Sequence, residues 1–133
     1  MKKGLLILAG ILAVGPLWMW FTLYTTLVSP AKEAVRGIKP VAEEIDYWQS
    51  PAETRARGAG DCEDFAILIA EKYYKEGLPF RMAIIDLGDS KHMVLQVGAY
   101  YIDSVRPRLM LVSRNPPIWT CDYEYLQRKV RGL

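Results

Sequence analysis

The amino-acid sequence predicts an α+β domain, one helix followed by an antiparallel meander. Two observations carry that expectation. Phe65, Ala66, Ile69, Ala70 and Tyr73 recur at helical spacing and mark one buried face. Three strand-like runs then follow closely, Phe80–Asp86, Lys91–Val97 and Tyr100–Val105, with Leu87–Ser90 and Gly98-Ala99 as the turns between them.

The first part of the chain does not read as soluble core. Lys2 and Lys3 precede an uncharged run from Gly4 to Ala31 that is rich in Leu, Ile, Trp and Phe. As a helix, residues 5–28 span about 36 Å at ~1.5 Å per residue, enough for a bilayer. Pro16 kinks such a helix without excluding it. Trp18, Trp20 and Tyr24 gather toward one end, as interfacial aromatics do. A cleaved signal peptide has a shorter apolar region and a small-residue cleavage site, for which only Ser29-Pro30-Ala31 is a faint match. Length favours an uncleaved single-pass anchor over residues 1–29, followed by a domain over residues 30–133. The lysines at positions 2 and 3 place that domain outside the cytoplasm, although Lys32, Arg36 and Lys39 also follow the span closely.

The formal charge of +2 comes entirely from Lys2 and Lys3, so the domain is neutral. No basic block and no basic–aromatic interleaving speaks for nucleic acid. Two cysteines, Cys62 and Cys121, are too few for a disulfide scaffold.

In chain order, Ser29-Pro30 ends the span. Val41, Ile45 and Trp48 predict a short helix over about 40–49, closed by Ser50-Pro51. Residues 51–60 read as a loop. The central helix runs from Cys62 to about Lys75 and stops at Gly77 and Pro79. Residues 109–113 add a fourth strand, and Asp122 to Val130 a final helix.

Cys62 opens the central helix on its buried face, where unpaired N–H groups and the helix dipole favour a thiolate. The competing reading is an inert core cysteine, with Asp61 as N-cap and Glu63 and Asp64 as first-turn acids. His92, the only histidine, shares a strand face with Val94 and Gln96. A two-residue Gly98-Ala99 hairpin sets Val97 opposite Tyr100 and Val94 opposite Asp103. Asp103 is then the diagonal neighbour of His92 and can orient its imidazole, leaving the other nitrogen for Cys62.

Tyr47-Trp48, the run from Gly60 to Ala66, the run from Lys91 to Leu95 and Tyr100 to Asp103 together resemble the bacterial transglutaminase-like cysteine peptidases. These belong to the papain/transglutaminase superfamily and include the calcium-dependent periplasmic proteases that release biofilm adhesins. The resemblance covers about residues 45–106. It implies a papain/transglutaminase-like core, a catalytic triad of Cys62, His92 and Asp103, and a calcium site at Asp61, Glu63 and Asp64. The oxyanion hole takes the Cys62 N–H, with Gln49 or Trp48 as side-chain candidates.

The expectation is therefore a membrane-anchored cysteine peptidase acting on a protein or peptide substrate. The superfamily also holds transglutaminases, deamidases and silent peptide-binding modules, among which fold alone does not choose.

Overall fold

A computed structural model describes residues 16–43 and 47–133. Its core is one long helix against a five-stranded antiparallel sheet. Helical backbone runs from α1 (Pro16–Leu23) through a π-helical segment (Tyr24–Val28) into α2 (Ser29–Ala34). The predicted stop at Ser29-Pro30 does not occur. Pro30 lies in the first turn of α2, after bonding has widened so that the Ser29 N–H reaches the Tyr24 carbonyl. A proline is tolerated at a helix start, where its missing N–H is not required. Leu27, Val28 and Ala31 are buried, and the Tyr73 hydroxyl donates to the Leu27 carbonyl. Among the described residues no helix is long and apolar enough to cross a membrane. Residues 1–15 of the expected anchor lie outside the described residues.

The helix expected over 40–49 is absent from its described part, and residues 44–46 lie outside the description. Instead β1 (Lys39–Pro40) pairs in parallel with β2 (Ala59–Gly60). The expected loop over 51–60 holds a helix, α3 (Pro51–Arg57). Ser50-Pro51 opens this element instead of closing the one before. The Ser50 hydroxyl accepts from the Glu53 N–H, Pro51 stands in the first turn, and Gly58 caps the end at φ 69°.

The central helix, α4 (Cys62–Lys75), has the bounds the sequence predicts. Phe65 to Ala70 and Tyr73 are all buried, so it is sunk into the domain. β3 (Arg81–Asp86), β4 (Lys91–Val97), β5 (Tyr100–Asp103) and β6 (Leu109–Leu111) form the predicted meander. β7 (Trp119–Cys121), which the sequence reading missed, adds beside β3, giving the order β6-β5-β4-β3-β7. Asp122 caps the last helix, α5 (Tyr123–Lys129), by accepting from the Tyr125 N–H.

The hairpin register is the predicted one, with Val97 opposite Tyr100 and Val94 opposite Asp103. Gly98, at φ 58°, takes the left-handed position of its two-residue loop. Alternation divides the sheet. Met82, Met93, Leu95 and Ile102 enter the main core with α4, while Ala83, Ile85, Val94 and Tyr101 form a second cluster.

Candidate active site

Three elements converge at one end of the sheet: the start of α4, the start of β4 and the end of β5. His92 Nε2–H donates to Asp103 Oδ1 at 3.1 Å. That oxygen also accepts from the Val105 and Arg106 N–H groups at 3.1 and 3.3 Å. The turn after β5 therefore fixes the carboxylate that fixes the imidazole. Next to it, the Ser104 hydroxyl donates to the Met93 carbonyl at 2.7 Å and ties the same turn to β4.

The His92 pKa is raised to about 9, first by the hydrogen bond with Asp103 and next by one with the Cys62 side chain, against partial burial. Burial pushes Asp103 upward, but the bond to His92 and its charge outweigh this and hold the carboxyl below its ordinary value. The structure thus joins His92 to Asp103 and brings Cys62 close enough to help raise the His92 pKa. A cleft of about 350 Å³ opens beside them, lined by Leu87, His92, Asp103, Arg106, Arg108 and Met110. Cys62 is not among its lining residues.

The local sequence explains how Cys62 is held. Asp61 Oδ1 accepts from the Glu63 and Asp64 N–H groups at 3.1 and 3.2 Å, and Asp64 Oδ2 accepts from the Asp61 N–H at 3.1 Å. This is a reciprocal capping box. Asp64 is fully buried and also accepts from the Gln49 N–H at 2.8 Å and from Gln49 Nε2 at 2.6 Å. Burial raises its pKa against these stabilising bonds. Gly60 is required here: a Cβ at that position would lie 2.7 Å from Asp64 Cβ and 2.9 Å from its Oδ2. The glycine of the motif exists to let Asp64 in.

Of the three acids predicted to hold a metal, Asp61 and Asp64 come together, and Glu43 joins them with one oxygen from each within 4.8 Å of the others. Glu63 is not in that group. Glu43 also pairs with Arg57. Three hard oxygens this close suit a hard cation, whose charge offsets their repulsion. They fall short of the roughly 6–8 ligands calcium takes, so carbonyls and water must complete such a site. Glu43 was missed because its approach depends on the chain crossing at β1 and β2, which leaves no periodic signal.

Gln49 is committed to Asp64 through both its backbone and its side chain, which leaves it poorly placed as an oxyanion donor. Among the described residues Trp48 Nε1 is buried without a partner, with its ring edge-on to Trp119 and under Lys129 Nζ. Both cysteines are free. Cys121 is buried, and desolvation pushes its thiol up to about 11.

This fold sets a helix-borne cysteine against an antiparallel sheet that carries histidine and aspartate. The solved structures of Legionella pneumophila LapG share it: the calcium-bound form matches with a TM-score of 0.64 at 24% identity over 77% of this chain. The EGTA-treated form matches with a TM-score of 0.62 at 24% identity over 75%. This chain spans 66% and 63% of those two chains. No protein-family model and no curated protein matches it.

Proposed function

We propose that this chain is a membrane-anchored, transglutaminase-like cysteine peptidase that cleaves an amide bond in a protein or peptide on the extracytoplasmic side. The observation that supports it is the hydrogen bond between the only histidine and the Asp103 carboxylate, with Cys62 near enough to raise the pKa of the same ring. With its pKa near 9, His92 carries the proton at neutral pH. A cation beside the sulfur is what a cysteine nucleophile requires.

Cys62 Sγ adds to the substrate carbonyl carbon, and the carbonyl π electrons move to oxygen. As the C–N bond breaks, His92 gives its proton to the departing amine and a thioester remains. Water then adds, its proton passes to His92, and the C–S bond breaks to release the acid. Asp103 holds the ring orientation and stabilises the imidazolium throughout. The Cys62 N–H and Trp48 Nε1 are the donors proposed for the oxyanion.

Asp61, Asp64 and Glu43 are the proposed calcium ligands. The existence of calcium-bound and EGTA-treated LapG forms supports the choice of ion. When bound, the ion would neutralise the acids at the start of the helix that carries Cys62.

The test is peptide hydrolysis combined with mass spectrometry of iodoacetamide adducts on the full chain. Cys62→Ala and His92→Ala should each lower turnover by ~10³-fold or more, since members of such a unit act together. Alkylation should fall on Cys62 and spare Cys121. Undiminished hydrolysis in Cys62→Ala would sink the reading. Full activity in EGTA would leave Asp61 and Asp64 with a capping role and Glu43 with its ion pair to Arg57.

A further inference from the structure

The helix that leaves the domain toward the apolar N-terminal run does not stand clear of the sheet. Trp20 shares a cleft of about 510 Å³ with Tyr100, Arg108, Leu109, Leu111 and Arg114 on and around β6. A second cleft, of about 440 Å³, joins Phe21, Tyr24 and Lys32 on the helix to Pro107, Arg108 and Leu109. Among the described residues lining either cleft there is no carboxylate. The floor is aromatic and aliphatic and the rim is cationic.

The exposure of this face is unusual for a folded domain. Leu17, Trp18, Trp20, Phe21 and Tyr24 are all exposed on the helix, and Leu111 is exposed on β6. Lys32 Nζ lies 5.2 Å from the Tyr24 ring centre and donates to its hydroxyl at 3.1 Å, so a cation sits at the end of the aromatic belt. Tryptophan and tyrosine at helix ends settle at the headgroup level of a bilayer, and arginine and lysine pair there with lipid phosphates. Because Trp20 and β6 share one cleft, they must lie at the same depth.

We infer that the domain rests on an anionic bilayer by its β6 edge, with Leu111 at the apolar boundary and Arg108, Arg114 and Lys32 on lipid phosphates. The inference rests on the proposed anchor and goes beyond it. An anchor alone tethers the domain; this contact fixes its orientation. Arg108 also lines the cleft beside His92 and Asp103, with its Nε 3.9 Å from Asp103 Oδ2. The candidate site then opens within a side chain's length of the lipid, and the substrate it meets is a membrane-proximal segment of another protein.

The experiment uses the full chain in vesicles containing anionic lipid, in a Cys62→Ala background that leaves only buried Cys121. An environment-sensitive fluorophore is placed on Leu111→Cys or, as a reference, on Ile118→Cys, exposed beside β7 at the opposite edge of the sheet. The expected result is a blue shift and quenching by lipid-borne nitroxide at position 111, with neither at position 118. Adding Arg114→Glu should reduce the quenching at 111 several-fold while the protein stays in the vesicle fraction. A vesicle-bound protein whose position 111 behaves like position 118 overturns the inference and leaves the anchor standing. Failure to enter the vesicle fraction overturns both. A shift at 111 that needs added peptide and no lipid would assign the clefts to a peptide and overturn the lipid contact.

Discussion

Asp103 and His92 show how far a single pair of side chains can set the chemistry. The pair was legible in the sequence because strand alternation and a two-residue turn leave one register, and that register is the one formed. The backbone donors of Val105 and Arg106 that anchor Asp103 were not legible, since they depend on how the chain turns after β5. The imidazolium gains its stability mainly from the Asp103 bond. A histidine raised from 6.5 to about 9 stabilises the fold fully below pH ~6.5, and the contribution is lost as pH rises through ~9. The full shift corresponds to roughly 3 kcal/mol. Asp103→Asn removes the charge, so the titration should move down toward the ordinary histidine range. His92 is the sole histidine, so one NMR imidazole resonance reports it without assignment. A wild-type midpoint near 6.5, or an unchanged one in Asp103→Asn, would show that the carboxylate does not hold the proton there.

At the scale of elements, the junction from β2 into α4 carries most of the site's precision. Periodicity announced α4 because its buried face repeats over four turns. It could not announce α3, whose seven residues are largely exposed and whose start, Ser50-Pro51, also reads as a stop. Nor could it announce β7, three residues long after a Pro-Pro break. Short elements are held by tertiary contacts, which leave little trace in local pattern. Gly60 belongs to this junction, and its role is close approach, not backbone freedom, because its φ is not in the left-handed region. Gly60→Ala drives a methyl group into Asp64 Cβ, so β2 or the start of α4 must move. The expected cost is about 1–3 kcal/mol, as for other overpacked sites. It should appear as a lower urea midpoint together with slower alkylation of Cys62. An unchanged midpoint and rate would mean that the capping box tolerates a wider approach.

Across the whole molecule, the sequence divides at Ser29-Pro30 by composition, whereas packing does not respect that line. Leu27 and Val28 are 4% and 2% exposed and belong with the domain core. The Leu27 carbonyl is also the acceptor for Tyr73, a fully buried residue in the middle of α4. Composition cannot separate an apolar residue that faces lipid from one that faces protein, and here the two kinds follow each other along one helix. A fragment of residues 30–133 therefore loses two buried aliphatic side chains, worth ~1.5–3 kcal/mol each. It also leaves a buried hydroxyl unpaired at a further ~1–3 kcal/mol. Together these approach the ~5–15 kcal/mol that holds a domain folded. A fragment of residues 24–133 keeps all three contacts and discards the most exposed aromatics. The two fragments compared by urea denaturation should differ sharply, with a cooperative transition for 24–133 and a much lower midpoint, or none, for 30–133. Equal midpoints would mean that Leu27 and Val28 are dispensable to the core and that the composition boundary is also the folding boundary.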